Sequence, residues 1–107
     1  MLKHLVCYGT VSLLIFTGSA MSLAQSAAET YVAKCQMCHA ADGSGDTPAG
    51  KAMNARPFKS PDVLKESNAD LIAIIKNGKG KMPAFAGKLT DAQITDLVAY
   101  VHTLQKK

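Results

Sequence analysis

The chain has 107 residues, room for one domain, and 12 Lys and Arg against 8 Asp and Glu give it a formal charge of +4. Hydrophobic residues make up 48%, yet there are three Phe, three Tyr and no Trp. This composition excludes a disordered polyelectrolyte, a coiled coil and a collagen-like chain, and leaves little room for a deep substrate cleft. Three cysteines are also too few for a disulfide scaffold.

No charge occurs between Lys3 and Glu29. Lys3 supplies a positive start, Leu5 to Phe16 an apolar stretch, and Ser22-Leu23-Ala24 a small-x-small cleavage site. Residues 1–24 therefore read as a secretory signal peptide, with 25–107 as the mature domain. A retained anchor fits less well, because Gly9, Thr10, Ser12 and Thr17 dilute a stretch that falls short of the ~20 apolar residues a span needs. Cys7 leaves with the signal. Cleavage after Ala24 leaves 83 residues of net charge +3, whose only cysteines are Cys35 and Cys38. So short a chain has a marginal core, and something besides side-chain packing should help hold it.

Ser26-Ala27-Ala28-Glu29 is a capping box, and the helix behind it carries Ala27, Tyr31 and Cys35 on one face. From Ala40 to Pro57 the residues Gly43, Gly45, Pro48 and Gly50 predict a loop. Ser60-Pro61-Asp62 starts a short helix with Pro at its first position. Another, capped by Ser67 or Asn68, runs through Leu71, Ile72, Ile74 and Ile75 and ends at Gly78. Residues 79–88 are irregular. Thr90-Asp91-Ala92-Gln93 is a second capping box, followed by an apolar stripe of Ile94, Leu97, Val98, Val101 and Leu104 at helical period. No segment alternates with period two. The expected class is all-α, three or four short helices with long loops. Such loops in a small domain suggest a chain wrapped around something other than protein.

Cys35-Gln36-Met37-Cys38-His39 is C-x-x-C-H, the attachment signature of c-type haem. Two thiols three residues apart on one helical turn can bond both vinyl groups of one porphyrin, and the adjacent imidazole then sits beneath the iron. Three rivals fit less well. A thioredoxin-type C-x-x-C needs strands. Zinc on Cys35, Cys38, His39 and His102 would crowd two neighbouring residues into one tetrahedron. A plain disulfide leaves His39 unexplained. Gly45 to Lys51 also approaches the phosphate-binding loop, but Ala52 stands where Ser or Thr must hold magnesium.

A haem iron needs a sixth ligand or an open site. Met82 ranks first: Gly78-Lys79-Gly80-Lys81 precedes it, Pro83 follows it, and it lies 43 residues beyond His39. Its bland reading is a loop hydrophobe. Met37 lies inside the attachment motif, Met53 has no special setting, and His102 reads as a half-exposed polar residue.

The chain resembles the class I, mono-haem His/Met cytochromes c, and is most similar to small bacterial types such as c6, c-551 and c-552. The resemblance spans Ala27 to Leu104. It rests on Tyr31 to His39, Ala41-Asp42-Gly43-Ser44-Gly45, Asn77 to Pro83, and Leu97-Val98-Ala99-Tyr100-Val101. It implies the cytochrome c fold around one haem c held by Cys35 and Cys38. His39 and Met82 would be the metal ligands, and the first and last helices would cross, with Ala27 and Tyr31 meeting Leu97 and Tyr100. It also implies that the Pro48 carbonyl orients His39, against a simple turn proline, and it leaves the propionate partners open, with Arg56 as the candidate.

Met/His ligation raises the reduction potential, and with both axial positions filled no substrate reaches the iron. The expected function is an exported, non-enzymatic carrier of single electrons in a respiratory or photosynthetic chain. Its expected place is the periplasm, with a thylakoid lumen second, and its expected state a monomer without membrane insertion. Lys79 and Lys81 beside Met82, with Lys51, Arg56, Lys76 and Lys88 nearby, would steer acidic docking faces of redox partners. Nucleic acid is not an expected partner. The alternative is a gas-binding or peroxidase-like cytochrome with a displaceable Met82.

Overall fold

The computed structural model describes residue 15 and residues 26–107. The predicted signal peptide, including Cys7, lies outside the described residues apart from that one position. Six helices follow in order: α1 (Ala27–Lys34), α2 (Gln36–His39), α3 (Pro48–Ala52), α4 (Pro61–Leu64), α5 (Asn68–Asn77) and α6 (Asp91–Gln105). Among the described residues there is no strand. Isolated bridges join only Lys79 with Met82 and Ala86 with Leu89.

The starts of the long helices are set by side chains that satisfy otherwise orphaned amides. Ser26 with Glu29, Ser67 with Asp70, and Thr90 with Gln93 each form a reciprocal capping box. The second settles the α5 cap on Ser67. α5 stops where Gly78 takes φ +77. A side chain at 78 would also press on the Met82 carbonyl, so glycine is required there twice over.

The all-α expectation holds, but six helices replace three or four. The first predicted helix breaks at Cys35, where φ −121 and ψ −37 depart from helical values. α3 arises inside the predicted loop. Thr47 caps it by accepting the Gly50 amide at 2.8 Å, and Pro48 presets its first turn.

α1 packs on α6, and α6 in turn on α5. Tyr31, Leu97 and Leu104 build one core cluster with Phe58, and the Tyr31 and Tyr100 rings lie 5.0 Å apart. The expected meeting of the first and last helices is thus formed. Ile94 is fully buried, and Val98 joins Val63 and Leu71 in a second cluster. The buried Tyr31 hydroxyl donates to the Ala40 carbonyl at 2.6 Å. This pins a sharp turn just after α2, in which Ala40 takes φ +65 and ψ 166.

Candidate cofactor site

Two cavities meet along one line of side chains. The inner one, about 90 Å³, lies against Leu71, Ile74 and Ile75 of α5 and Leu97, Val98 and Val101 of α6. Its only charged residues are Arg56 and Glu66. The outer one, about 390 Å³, is bordered by Met37, Met53, Pro83 and Phe85, and by the cations of Lys34, Lys79 and Lys81. Cys35, His39 and Met82 line both, and Cys38 lines the outer one.

The helix break at Cys35 and the end of α2 at His39 place these two residues on the shared wall. Both cysteines are free. Burial, with the neighbouring Cys38 as a lesser cause, pushes the Cys35 thiol up to about 11, so it is protonated at neutral pH. Burial lowers the pKa of His39, which keeps the imidazole neutral and a ring nitrogen free to coordinate. The His39 ring lies 5.0 Å from that of Phe58, tilted by 36°. Its Nδ1 is buried without a hydrogen-bond partner. An unpaired buried nitrogen costs about 1–3 kcal/mol, so the ring is held ready for a bond the protein alone does not supply.

Met82 arrives from the opposite end of the chain, on an arch. The arch begins where the Gly78 amide bonds the Ile74 carbonyl at 2.8 Å, and ends where the Phe85 amide bonds the Ile75 carbonyl at 2.9 Å. Within it, Lys79 and Met82 exchange backbone hydrogen bonds of 3.2 and 2.9 Å. Of the methionines considered, Met82 alone borders both cavities. Met37 and Met53 stand at the outer one, 78% and 49% exposed.

One expected contact is not formed. The Pro48 carbonyl does not accept from His39, whose Nδ1 has no partner. Pro48 instead heads α3 on the surface, with its carbonyl drawn into that helix's own ladder. It is Thr47 that ties this segment to the motif, donating to the Met37 carbonyl at 2.7 Å. Arg56 does line the inner cavity, but it donates to Asp62 at 2.9 Å and Glu66 at 3.1 Å. That occupies two of its five N–H donors and leaves three.

His102 stands apart, its ring bonding Gln105 at 2.8 Å and Asn68 at 2.6 Å. The zinc set is therefore not assembled, and no metal-binding group of His, Cys, Asp and Glu occurs among the described residues. Phe58 and Glu66 were not singled out by sequence. Phe58 had no periodic context, and Glu66 reads as an ordinary solvated charge.

The residues present fit a haem: two free thiols, a neutral imidazole and a thioether line two adjoining cavities, of which the inner has an aliphatic wall. Residues 22–101 match the family model described as cytochrome c oxidase, cbb3-type, subunit III. Cytochrome c6 of Thermosynechococcus vestitus is 34% identical across 90% of this chain and 85% of its own length. The cbb3-type cytochrome c oxidase subunit CcoP of Azospirillum brasilense is 34% identical across 76% of this chain, which spans 28% of that protein. The solved structure of the KustC0563 c-type cytochrome superposes with a TM-score of 0.69 at 29% identity, covering 75% of this chain and 98% of that one. Among the described residues no helix is long and apolar enough to cross a membrane.

Proposed function

Since the chain belongs to the class I c-type cytochromes and is similar to cytochrome c6, we propose that it is a soluble, exported carrier of single electrons between redox partners of a respiratory or photosynthetic chain. The observation that carries this reading is the convergence of Cys35, His39 and Met82 where the two cavities meet. Export follows from residues 1–24 acting as a cleaved signal peptide, with the periplasm as destination.

When bound, one haem supplies a ferric/ferrous couple. Cys35 and Cys38 would hold it covalently, each S–H adding across one vinyl C=C to leave a thioether. His39 would supply a nitrogen ligand and Met82 a sulfur ligand. A neutral, soft thioether favours the ferrous form, and the aliphatic wall from α5 and α6 adds to that preference by excluding water. Were His39 and Met82 both to hold the iron, no ligand place would be left for a substrate, and the protein would relay electrons without turnover of its own. Arg56 offers its remaining N–H donors to a propionate. Phe58, whose ring leans on that of His39, would help orient the imidazole. Lys34, Lys79 and Lys81 rim the outer cavity and would meet acidic docking faces of partners.

The test is an optical spectrum of the purified holoprotein, oxidised and reduced, with and without carbon monoxide, for the wild type and Met82→Ala. A c-type reduced spectrum, a far-red sulfur-to-iron band and no carbon monoxide response are expected of the wild type. Met82→Ala should lose the band and bind carbon monoxide. A wild type that lacks the band and binds the gas readily would refute the carrier and leave a gas-binding or peroxidase-like cytochrome.

A further inference from the structure

Glu66 sits in the short connection between α4 and α5, where Lys65, Ser67 and Asn68 are all exposed. Its own side chain turns inward, 16% exposed, and borders the inner cavity. Oε1 accepts from Arg56 at 3.1 Å and faces the Lys79 ammonium at 3.7 Å, while Oε2 is buried without a partner. A carboxylate oxygen kept dry and unpaired is unfavourable, so the fold holds Glu66 inward against a cost. Arg56 alone does not account for this, because Asp62 already gives it an exposed partner.

Lys79 supplies the missing reason. It opens the arch that ends in Met82, and the reciprocal hydrogen bonds between their backbones make the two residues move as a unit. The arch is anchored at both ends by main-chain bonds to α5. Along its span the described side-chain ties to the rest of the molecule are the 3.7 Å ion pair of Lys79 with Glu66 and a contact of 3.4 Å from the exposed Lys81 to the Ala52 carbonyl. The first of these is a charge pair with one partner largely buried, and such pairs are screened less than exposed ones.

We propose that Glu66 is a positioning residue for Met82. Acting through Lys79, it fixes the turn that presents the thioether and so sets how readily the sulfur leaves its place. The proposal rests on the reading of Met82 as the distal ligand. Glu66 itself touches neither the iron nor the sulfur.

Imidazole binding to the ferric holoprotein provides the test. At saturating imidazole the observed rate reaches a ceiling, the rate at which Met82 departs. Glu66→Gln and Lys79→Gln should each raise that ceiling about threefold, the scale of a partly exposed ion pair. The double variant should rise no further than either alone, because both remove the same tie. A residue with a merely structural role would lower the unfolding midpoint and leave the ceiling where it was. Unchanged ceilings, or a double variant that multiplies the two effects to about ninefold, would overturn the proposal. Should Glu66→Gln fail to fold, Lys79→Glu at a half-exposed position carries the test, and it should accelerate departure beyond Lys79→Gln. A wild type without a far-red band would overturn the ligand reading, and the proposal with it.

Discussion

Substituting Gly50 by alanine sets two physical effects of opposite sign against each other. Gly50 lies in the middle of α3, without the positive φ that restricts side chains. By helix propensity alone Gly50→Ala should stabilise by about 1 kcal/mol. The structure predicts the reverse. A Cβ at 50 would come within 3.0 Å of both the Cys38 and Gly45 carbonyl oxygens, closer than real Cβ atoms approach. Neither is the end of a flexible side chain. The Cys38 carbonyl belongs to the attachment motif, and the Gly45 segment is held by its amide bond to the His39 carbonyl at 2.9 Å. Overpacking against such neighbours costs about 3 kcal/mol, so the net expectation is a loss of about 2 kcal/mol. For a domain this size that lowers the thermal midpoint by roughly 10 °C. Thermal unfolding of the holoprotein, followed by far-ultraviolet dichroism and by haem absorbance, measures it. A Gly50→Ala variant as stable as the wild type, or more so, would refute the close packing of α3 on the motif.

Four further outcomes are expected. Tyr31→Phe removes a buried donor from the Ala40 carbonyl and should cost about 1 kcal/mol in denaturant unfolding, whereas Ala40→Gly relieves the left-handed backbone there and should gain about 1 kcal/mol. Hydrogen bonds from Arg56 and then Ser60 hold the Asp62 carboxyl at about 2, against 3.8 for the ordinary side chain. Its contribution to stability is therefore complete above about pH 4 and is lost as the pH falls toward 2, so Asp62→Asn should flatten the pH dependence of the urea midpoint in that window. Electron transfer with an acidic partner should slow with added salt, and Lys34→Glu or Lys81→Glu should weaken that dependence; a wild-type rate indifferent to salt would remove the docking role of the lysine rim.

The sequence disclosed the parts of this molecule that obey local rules. Capping boxes at Ser26 and Thr90 and the stripe from Ile94 to Leu104 mark α1 and α6, because a cap and a period of 3.6 act within a few residues. Spacing named Cys35, Cys38 and His39 as candidates and flanking glycines and proline named Met82, and the fold brings all four to the cavity walls. What stayed hidden depends on residues far apart in the chain. α3 looks like a loop until Gly50 is seen to be the only residue small enough to lie against Cys38. Glu66 looks solvated until Lys79 and Arg56 are folded onto it. The bond expected from Pro48 is not among those the structure forms: His39 Nδ1 has no partner, and Pro48 heads α3.

The aliphatic wall that α5 and α6 turn toward the shared line of Cys35, His39 and Met82 has a consequence for speed. Whenever the charge at such a place changes by one unit, every nearby dipole free to rotate must find a new orientation, and that adjustment sets the activation barrier. Leu, Ile and Val side chains offer almost no permanent dipole, and their close packing leaves little freedom to move. Under the proposed carrier role, the reorganisation energy on this side is thus kept low, so an electron would cross under a small difference in potential, in either direction.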